Sequence, residues 1–350
     1  MKNNIGKTCF LSILFLSIIA LSSCQSSNDG CGNDFNLPYY NYTVQYNPNR
    51  ASENRDDLSI TYEPIYADAY GGLSLFLWTG RERYVYSLIM ETPQDVINVV
   101  VGNESTMDVN VILKIFYNYE ESLFRVLGAE SYFKEFQFWI YGGYEFNIPI
   151  QLTNNIEMSE AISKLTVGIF VAPEQYAMER DEIQRSLGLV LNYEIDYGVQ
   201  TNLVLDVEAV EPYKLIEELM FHSLMINNDF KPQAGGALHP PSPWQVEAGQ
   251  EIEMSFVTNP ISLVWEPLTD YLIISMLDWG QVPMNGQPYL LVNSRADGQH
   301  GRFYITAPDE AGFYDFVAFI VPNPTARRSQ NNFFPLDVAL RFTLEVVDEK

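Results

Sequence analysis

The sequence predicts an all-β protein: two antiparallel β-sandwich domains carried behind an N-terminal tether. Three observations predict it. Short alternating or apolar runs recur from residue 58 to residue 347, separated by turns rich in Gly, Asn, Pro and Asp. That spacing suits stacked antiparallel strands better than alternating helices and strands. Helical periodicity is scarce. Apolar residues make up 47% and aromatic residues 14% of the 350 residues, enough to fill a core despite a net charge of −25, and outside the composition of disordered acidic chains.

The first 23 residues stand apart. Lys2 and Lys7 give a positive start, an apolar run follows from Cys9 to Leu21, and the segment closes on Leu21-Ser22-Ser23-Cys24. The order is that of a secretory signal, too short to span a bilayer. Leu21, Ser22, Ser23 and Cys24 resemble the lipobox of bacterial lipoproteins. The resemblance implies cleavage before Cys24 by signal peptidase II and a diacylglyceryl group on the Cys24 thiol. The partner it implies is a lipid bilayer in the bacterial cell envelope, held with about 0.8 kcal/mol per buried CH₂. Gln25 stands where an Asp would favour inner-membrane retention, so the outer membrane or cell surface is the favoured destination. Residues 24–57, rich in Ser, Asn, Asp and Gly, read as a flexible tether.

Loss of residues 1–23 removes Lys2 and Lys7 and no acid, which shifts the net charge from −25 to −27. Such a chain repels nucleic acid and anionic lipid alike, so contact with the membrane is expected through the anchor alone. Cys9 leaves with the signal and Cys24 is lipidated, leaving Cys31 in the tether without an internal partner. Its expected role is inert. Asn41-Tyr42-Thr43 and Asn103-Glu104-Ser105 match the glycosylation triplet but would matter only in a eukaryotic secretory route.

Strands are expected in order along a first domain, residues 58–212. Leu58–Tyr62, Leu73–Trp78, Arg83–Met90 and Val96–Val101 come first. Val109–Tyr117 reads as a half-buried strand of period two, and Phe133–Ile140 places Phe136 and Phe138 on one face and Trp139 on the other. Tyr144–Leu152, Leu165–Val171, Leu187–Tyr197 and Leu203–Val210 complete the set. The best helix candidate is Glu174–Ser186, opened by Pro173. A second domain is expected over residues 213–350. Glu217–Ile226 is ambiguous between helix and strand, and Asn227–Trp244, with four prolines, reads as a long loop or hinge. Glu251–Val257 and Leu336–Val347 alternate as strands.

Within the second domain, strand Gly301–Pro308 leads into Asp309-Glu310-Ala311-Gly312-Phe313-Tyr314-Asp315-Phe316. This resembles the tyrosine corner of immunoglobulin-like domains, with Glu310 at the acidic position, Tyr314 at the corner and Phe316 in place of the disulfide cysteine. The resemblance implies that the Tyr314 hydroxyl ties the corner to upstream backbone, with Gly312 permitting the turn.

Catalytic chemistry finds no spacing to support it. His222 lies in an apolar stretch, His239 precedes two prolines and His300 falls in the expected turn Asp297–Gly301. No zinc-type His spacing, phosphate-binding glycine loop or nucleophile elbow occurs. No catalytic residue, metal or cofactor is therefore expected. Calcium on Asp56-Asp57 or Asp297 lacks the spaced ligand pattern. Trp78 and Trp139 are expected in cores. Trp244, Trp265 and Trp279 stand beside prolines or glycines, where exposed rings could stack on sugars or grip a partner. The expected function is a non-enzymatic surface binding, adhesion or assembly module with a glycan or envelope protein as ligand; glycan capture through those tryptophans and a carbohydrate-active hydrolase are the alternatives.

Overall fold

The computed structural model describes residues 58–67, 72–79, 86–153, 156, 161–177, 188–198, 201–210, 214–216, 224–227, 243–258, 270–293, 298–328, 336, 338–339 and 341–348. The lipobox around Cys24, the tether with Cys31, and His222, His239 and Trp265 lie outside them. In the first half the alternating runs become β1 (Thr61–Pro64), β2 (Leu73–Trp78), β3 (Ser87–Ile89), β4 (Ile97–Asn103), β5 (Val109–Tyr117), β6 (Glu120–Glu121), β7 (Phe124–Val126), β8 (Glu135–Ile140), β9 (Tyr144–Leu152), β10 (Ser163–Val171) and β11 (Gly188–Asp196). The second half gives β12 (Ala209–Val210), β13 (Lys214–Ile216), β14 (Leu224–Asn227), β15 (Trp244–Glu247), β16 (Glu251–Thr258), β17 (Asp270–Leu277), β18 (Gly280–Gln281), β19 (Leu290–Asn293), β20 (Gly298–Thr306), β21 (Gly312–Pro322) and β22 (Phe342–Val347).

These strands build four sheets. The first runs β1-β9-β4-β2 with β7 also on β9, and the second β3-β11-β10-β5-β6 with β8 also on β5. The third runs β12-β19-β17-β21-β22-β15 with β18 on β17, and the fourth β13-β20-β16-β14. Pairing is antiparallel except at three sheet edges, where β3, β12 and β15 run parallel to β11, β19 and β22. The fold is all-β, and among the described residues no element is helical.

Two sandwiches share one compact unit, because the middle sheets are apolar on both faces. Val111, Leu113 and Ile115 of β5 face the first sheet, while Ile112 and Phe116 belong to a separate apolar layer. In the second half, Tyr271 and Ile273 of β17 face the fourth sheet, and Leu272, Ile274 and Met276 face back into that same layer. The second and third sheets thus pack on one another, and the described residues belong to a single compact unit. Strand β5 is buried on both sides rather than half-buried as its period suggested. A run such as Val111-Ile112-Leu113 has that reading open to it.

Matching hydrogen bonds inside each sandwich shape the elements that meet at the joint. The Asn118 N–H donates to Lys164 O (2.8 Å) and the Asp278 N–H to Asp315 O (2.7 Å). Ala172 N–H donates to Asn110 O (2.8 Å), as Asn323 N–H does to Asp270 O (2.9 Å). Hairpins β5–β6 and β17–β18 both turn through two residues of positive φ, Asn118-Tyr119 (49° and 73°) and Asp278-Trp279 (46° and 70°). Each drives the aromatic at its second position into the shared layer. The loop after β10 sends the Ala177 N–H to Asp315 Oδ1 (3.3 Å), and the loop after β21 sends the Arg328 N–H to Glu194 Oε1. One chain therefore holds two copies of a device that meet as the halves of a two-fold interface do.

Several expectations are corrected. Ala209–Val210, assigned to the first domain, pairs with β19 at the edge of the third sheet. The expected helix at Glu174 begins instead as a turn at Pro173–Glu174, because Ala172 at φ 49° reverses the chain toward the second sandwich; residues 178–187 lie outside the described set. His300 lies in β20 and is 4% exposed, not in a turn. Trp139 is 43% exposed, on the face of β8 opposite Phe136 and Phe138, whereas Trp78 is half-buried. The hydrogen bond of the tyrosine corner forms as expected, the Tyr314 hydroxyl donating to Glu310 O at 2.9 Å; buried Phe316, in place of the disulfide cysteine, stacks at 5.0 Å on Phe342, its cross-strand neighbour in the same sheet. Gly312 opens β21 but is not among the residues of positive φ, and a Cβ there would meet the Tyr314 ring in ordinary contact at 3.5 Å, so the turn does not demand glycine as expected.

Candidate functional site

Of the three tryptophans expected to meet a ligand, the described structure places two, and both pack inward. Trp279 is 1% exposed in the layer between sandwiches. Its ring lies 5.5 Å from that of Phe170, and the Arg341 guanidinium sits 5.3 Å over its indole. It cannot serve as a ligand platform, because its turn points into the protein. Trp244 is half-buried on β15, 6.4 Å from Phe342 at the margin of the second core. Apart from Trp139, the exposed aromatic rings among the described residues are tyrosines.

Two of them, Tyr62 and Tyr141, lie at the end of an aromatic row. Strand β1 is the outer strand of the first sheet, and β8 an outer strand of the second. Between them the row starts at fully buried Phe124, then passes Phe133 (6.3 Å), Phe136 (5.5 Å), Phe138 (5.5 Å) and Phe146 (6.4 Å). From Phe146 it opens into a cluster: Tyr62 stacks on it at 5.4 Å, and Tyr141 lies at 5.7 Å. Tyr144 closes the cluster, 6.0 Å from Tyr62 and 6.1 Å from Tyr141. Tyr62 is 61% exposed and Tyr141 39%. The rings are fixed at one end by the core and open to solvent at the other.

Local sequence holds this mouth in shape. A Cβ on Gly142 would fall 2.6 Å from the Thr106 carbonyl carbon, so only glycine lets the 104–107 loop come that close. The Asn103 side-chain amide donates to Met107 O (2.7 Å) and Ile140 O (3.2 Å), and its oxygen accepts from the Ser105 N–H and hydroxyl. Asn103, head of a glycosylation triplet, is thus a buried structural knot at 1% exposure. The Gly142 N–H donates to Asp108 Oδ1 at 2.9 Å. Met107, on the anchored loop, is exposed.

The strand edge itself is guarded. Ile65 N–H donates to Gly143 O (2.8 Å), so by antiparallel alternation the backbone groups of Tyr62 and Pro64 face the open side. Pro64 has no N–H to offer there. A proline on an outer strand blunts addition of a further strand, so the mouth offers side chains for recognition rather than a backbone ladder.

Three groups with displaced pKa values, Lys164, Asp315 and Tyr119, lie at the joint between sandwiches. Burial and the nearby Arg328 lower Lys164 to about 8. Asp315 is raised by burial, partly countered by Arg341 and the Thr343 hydroxyl. Tyr119 is raised by burial; its hydroxyl donates to Pro324 O at 2.6 Å. Among the described residues no group of three or more His, Cys, Asp and Glu side chains is arranged to hold a metal.

No protein-family model and no curated protein matches the chain. Among solved structures it is similar to the CARDB domain of a Pyrococcus furiosus protein, at 15% identity over 37% of this chain and 100% of that one, with a TM-score of 0.23. The C-terminal domain of the Streptococcus agalactiae antigen I/II polypeptide BspA matches at 10% identity over 79% and 99%, with a TM-score of 0.21. The E. coli chaperone DraB matches at 12% identity over 79% and 97%, with a TM-score of 0.23. At these identities and scores the likenesses carry no function across.

Proposed function

We propose that the protein is a lipid-anchored, non-enzymatic binding module of the bacterial cell envelope, which grips a protein partner through the tyrosine mouth of its first sandwich. The observation that carries this reading is the exposure of Tyr62 and Tyr141 at the end of a row rooted in the core. Tyrosine supplies a large amphipathic contact with few rotatable bonds, and rings already fixed by neighbours lose little entropy on binding. A net charge of −25 favours neutral or basic partners over acidic ones.

Two experiments test the two halves of the reading. Chemical cross-linking on intact cells should give a partner adduct that falls about tenfold when Tyr62 and Tyr141 are both replaced by alanine, the loss of one contact worth about 1.4 kcal/mol. Both side chains are part-exposed but pack on Phe146, so melting should fall by a few degrees without loss of the fold; an unaltered adduct yield would remove the mouth from the account. For the anchor, Cys24→Ser should move the protein from the membrane fraction to the soluble fraction. Retention of that variant on membranes would refute lipidation at Cys24.

A further inference from the structure

We propose that a groove on the second sandwich is a binding site for a neutral saccharide, separate from the tyrosine mouth. Its volume is about 420 Å³, within the range of small-molecule sites. Apolar lining comes from Val210, Val282 and Pro283, and polar lining from Asn285, Arg302 and Tyr304. The strand pattern explains why these groups face outward. Along β20, Phe303 and Ile305 enter the second core, so Arg302, Tyr304 and Thr306 project from the opposite face.

The polar groups are set before any ligand arrives. Glu253 on β16 lies directly across from Tyr304. One carboxylate oxygen pairs with Arg302 Nη1 at 2.9 Å, and the other accepts from the Tyr304 hydroxyl at 2.7 Å. The other wall is the turn Asn285-Gly286, with φ of 53° and 75°, as in the two-residue hairpin turns that favour Asn-Gly. This turn is pinned to the same tyrosine. The Asn285 N–H donates to Tyr304 O (2.9 Å), and Asn285 Oδ1 accepts from the Tyr304 N–H (2.9 Å). The Tyr304 ring, 38% exposed, is therefore held on both its hydroxyl and its backbone.

The ligand class follows from what each group would reject. An anion would meet Glu251 at the groove, Glu253 beside it and a chain of net charge −25. A cation would find Glu253 already paired with Arg302 at 2.9 Å and would meet that guanidinium beside one remaining carboxylate, Glu251. A purely apolar ligand would cover the Arg302–Glu253 pair and strip its water without repaying it. A neutral sugar ring escapes all three penalties. It offers an apolar C–H face to Tyr304 and the valine–proline wall, with hydroxyls that both donate to carboxylates and accept from a guanidinium.

The test uses the full chain in a zwitterionic detergent without a sugar head group. Maltotetraose, cellotetraose and mannotetraose serve as neutral probes, and tetragalacturonate as the anionic one, read by saturation-transfer NMR and titration. We expect at least one neutral tetramer to bind. Its Kd should rise about tenfold or more in Tyr304→Ala and in Arg302→Ala. Tyr304→Phe, which keeps the ring, should stay within about threefold of wild type. Near-UV circular dichroism confirms that each variant is folded. Absence of binding by all neutral probes, preference for tetragalacturonate, or indifference to Tyr304→Ala would each overturn the proposal. The Tyr62/Tyr141 double alanine variant should bind sugar normally, so failure here and failure of the tyrosine mouth are read apart.

Discussion

Replacing Trp279 by alanine should lower the free energy of unfolding by about 3–5 kcal/mol, the range for deleting a buried tryptophan. The indole is 1% exposed, and it touches Phe170 of the first sandwich while Arg341 of the second lies over its face. The backbone adds a second term. Trp279 sits at φ 70°, where an L-residue with a Cβ bears roughly 1–2 kcal/mol of strain. Alanine keeps that strain and loses the packing, whereas glycine loses the packing and sheds the strain. Trp279→Gly should therefore be more stable than Trp279→Ala by roughly 1 kcal/mol, with Trp279→Phe above both. Because the indole bridges the sandwiches, its loss should also broaden or split the unfolding transition. Urea unfolding followed by near-UV circular dichroism checks the series. A Trp279→Ala variant as stable as wild type would show that the joint does not depend on it.

That tryptophan also marks where the sequence stopped being legible. Strands were readable because alternation is a local property. Val109–Tyr117 and Tyr144–Leu152 were expected with the bounds they have in β5 and β9. The tyrosine corner was readable because Glu310, Gly312 and Tyr314 fall within one turn of chain, and its hydrogen bond forms. Trp279 was misread because Leu277-Asp278-Trp279-Gly280 looks like an exposed turn, and nothing local says which way a two-residue turn leans. The clue lay at a distance. Tyr117-Asn118-Tyr119-Glu120 is the same device, an Asn or Asp and then an aromatic, each at positive φ. Comparing the two hairpins would have suggested that both aromatics face one shared layer.

The tyrosine mouth was missed for a different reason. Tyr62 and Tyr141 are exposed because β1 and β8 are outermost in their sheets, and strand order is a tertiary property. The contact of Asn285 with Tyr304 was missed likewise, because it joins residues 19 apart in the chain. Contacts across some twenty residues of intervening chain lie beyond what spacing alone can fix.

The second large effect is expected at Glu194. Its carboxylate is 1% exposed and accepts from Lys164 Nζ at 2.9 Å, from the Arg328 N–H, and from Arg327 Nε at 3.4 Å. Lys164 also donates to Ala326 O, so the cluster ties the middle of the first sandwich to the loop after β21. Removing one partner of a buried pair leaves a charge without compensation, and Glu194→Ala should cost about 3–5 kcal/mol. Replacing both ends, Lys164→Met with Glu194→Leu, should recover much of that loss, since apolar substitutes incur no desolvation of charge. The pH dependence has a fixed sign. Burial lowers Lys164 to about 8 from the ordinary lysine value of 10.5, so the unfolded chain holds more protons between those values. Stability should therefore rise with pH across that window and be flat in this group below it. Chemical unfolding at pH 7 and pH 10 measures the difference, and Lys164→Met should abolish it. A Glu194→Ala variant within about 1 kcal/mol of wild type, or a wild-type stability falling through the same window after subtraction of the Lys164→Met curve, would mean the cluster is open to water and the joint is held by its apolar layer alone.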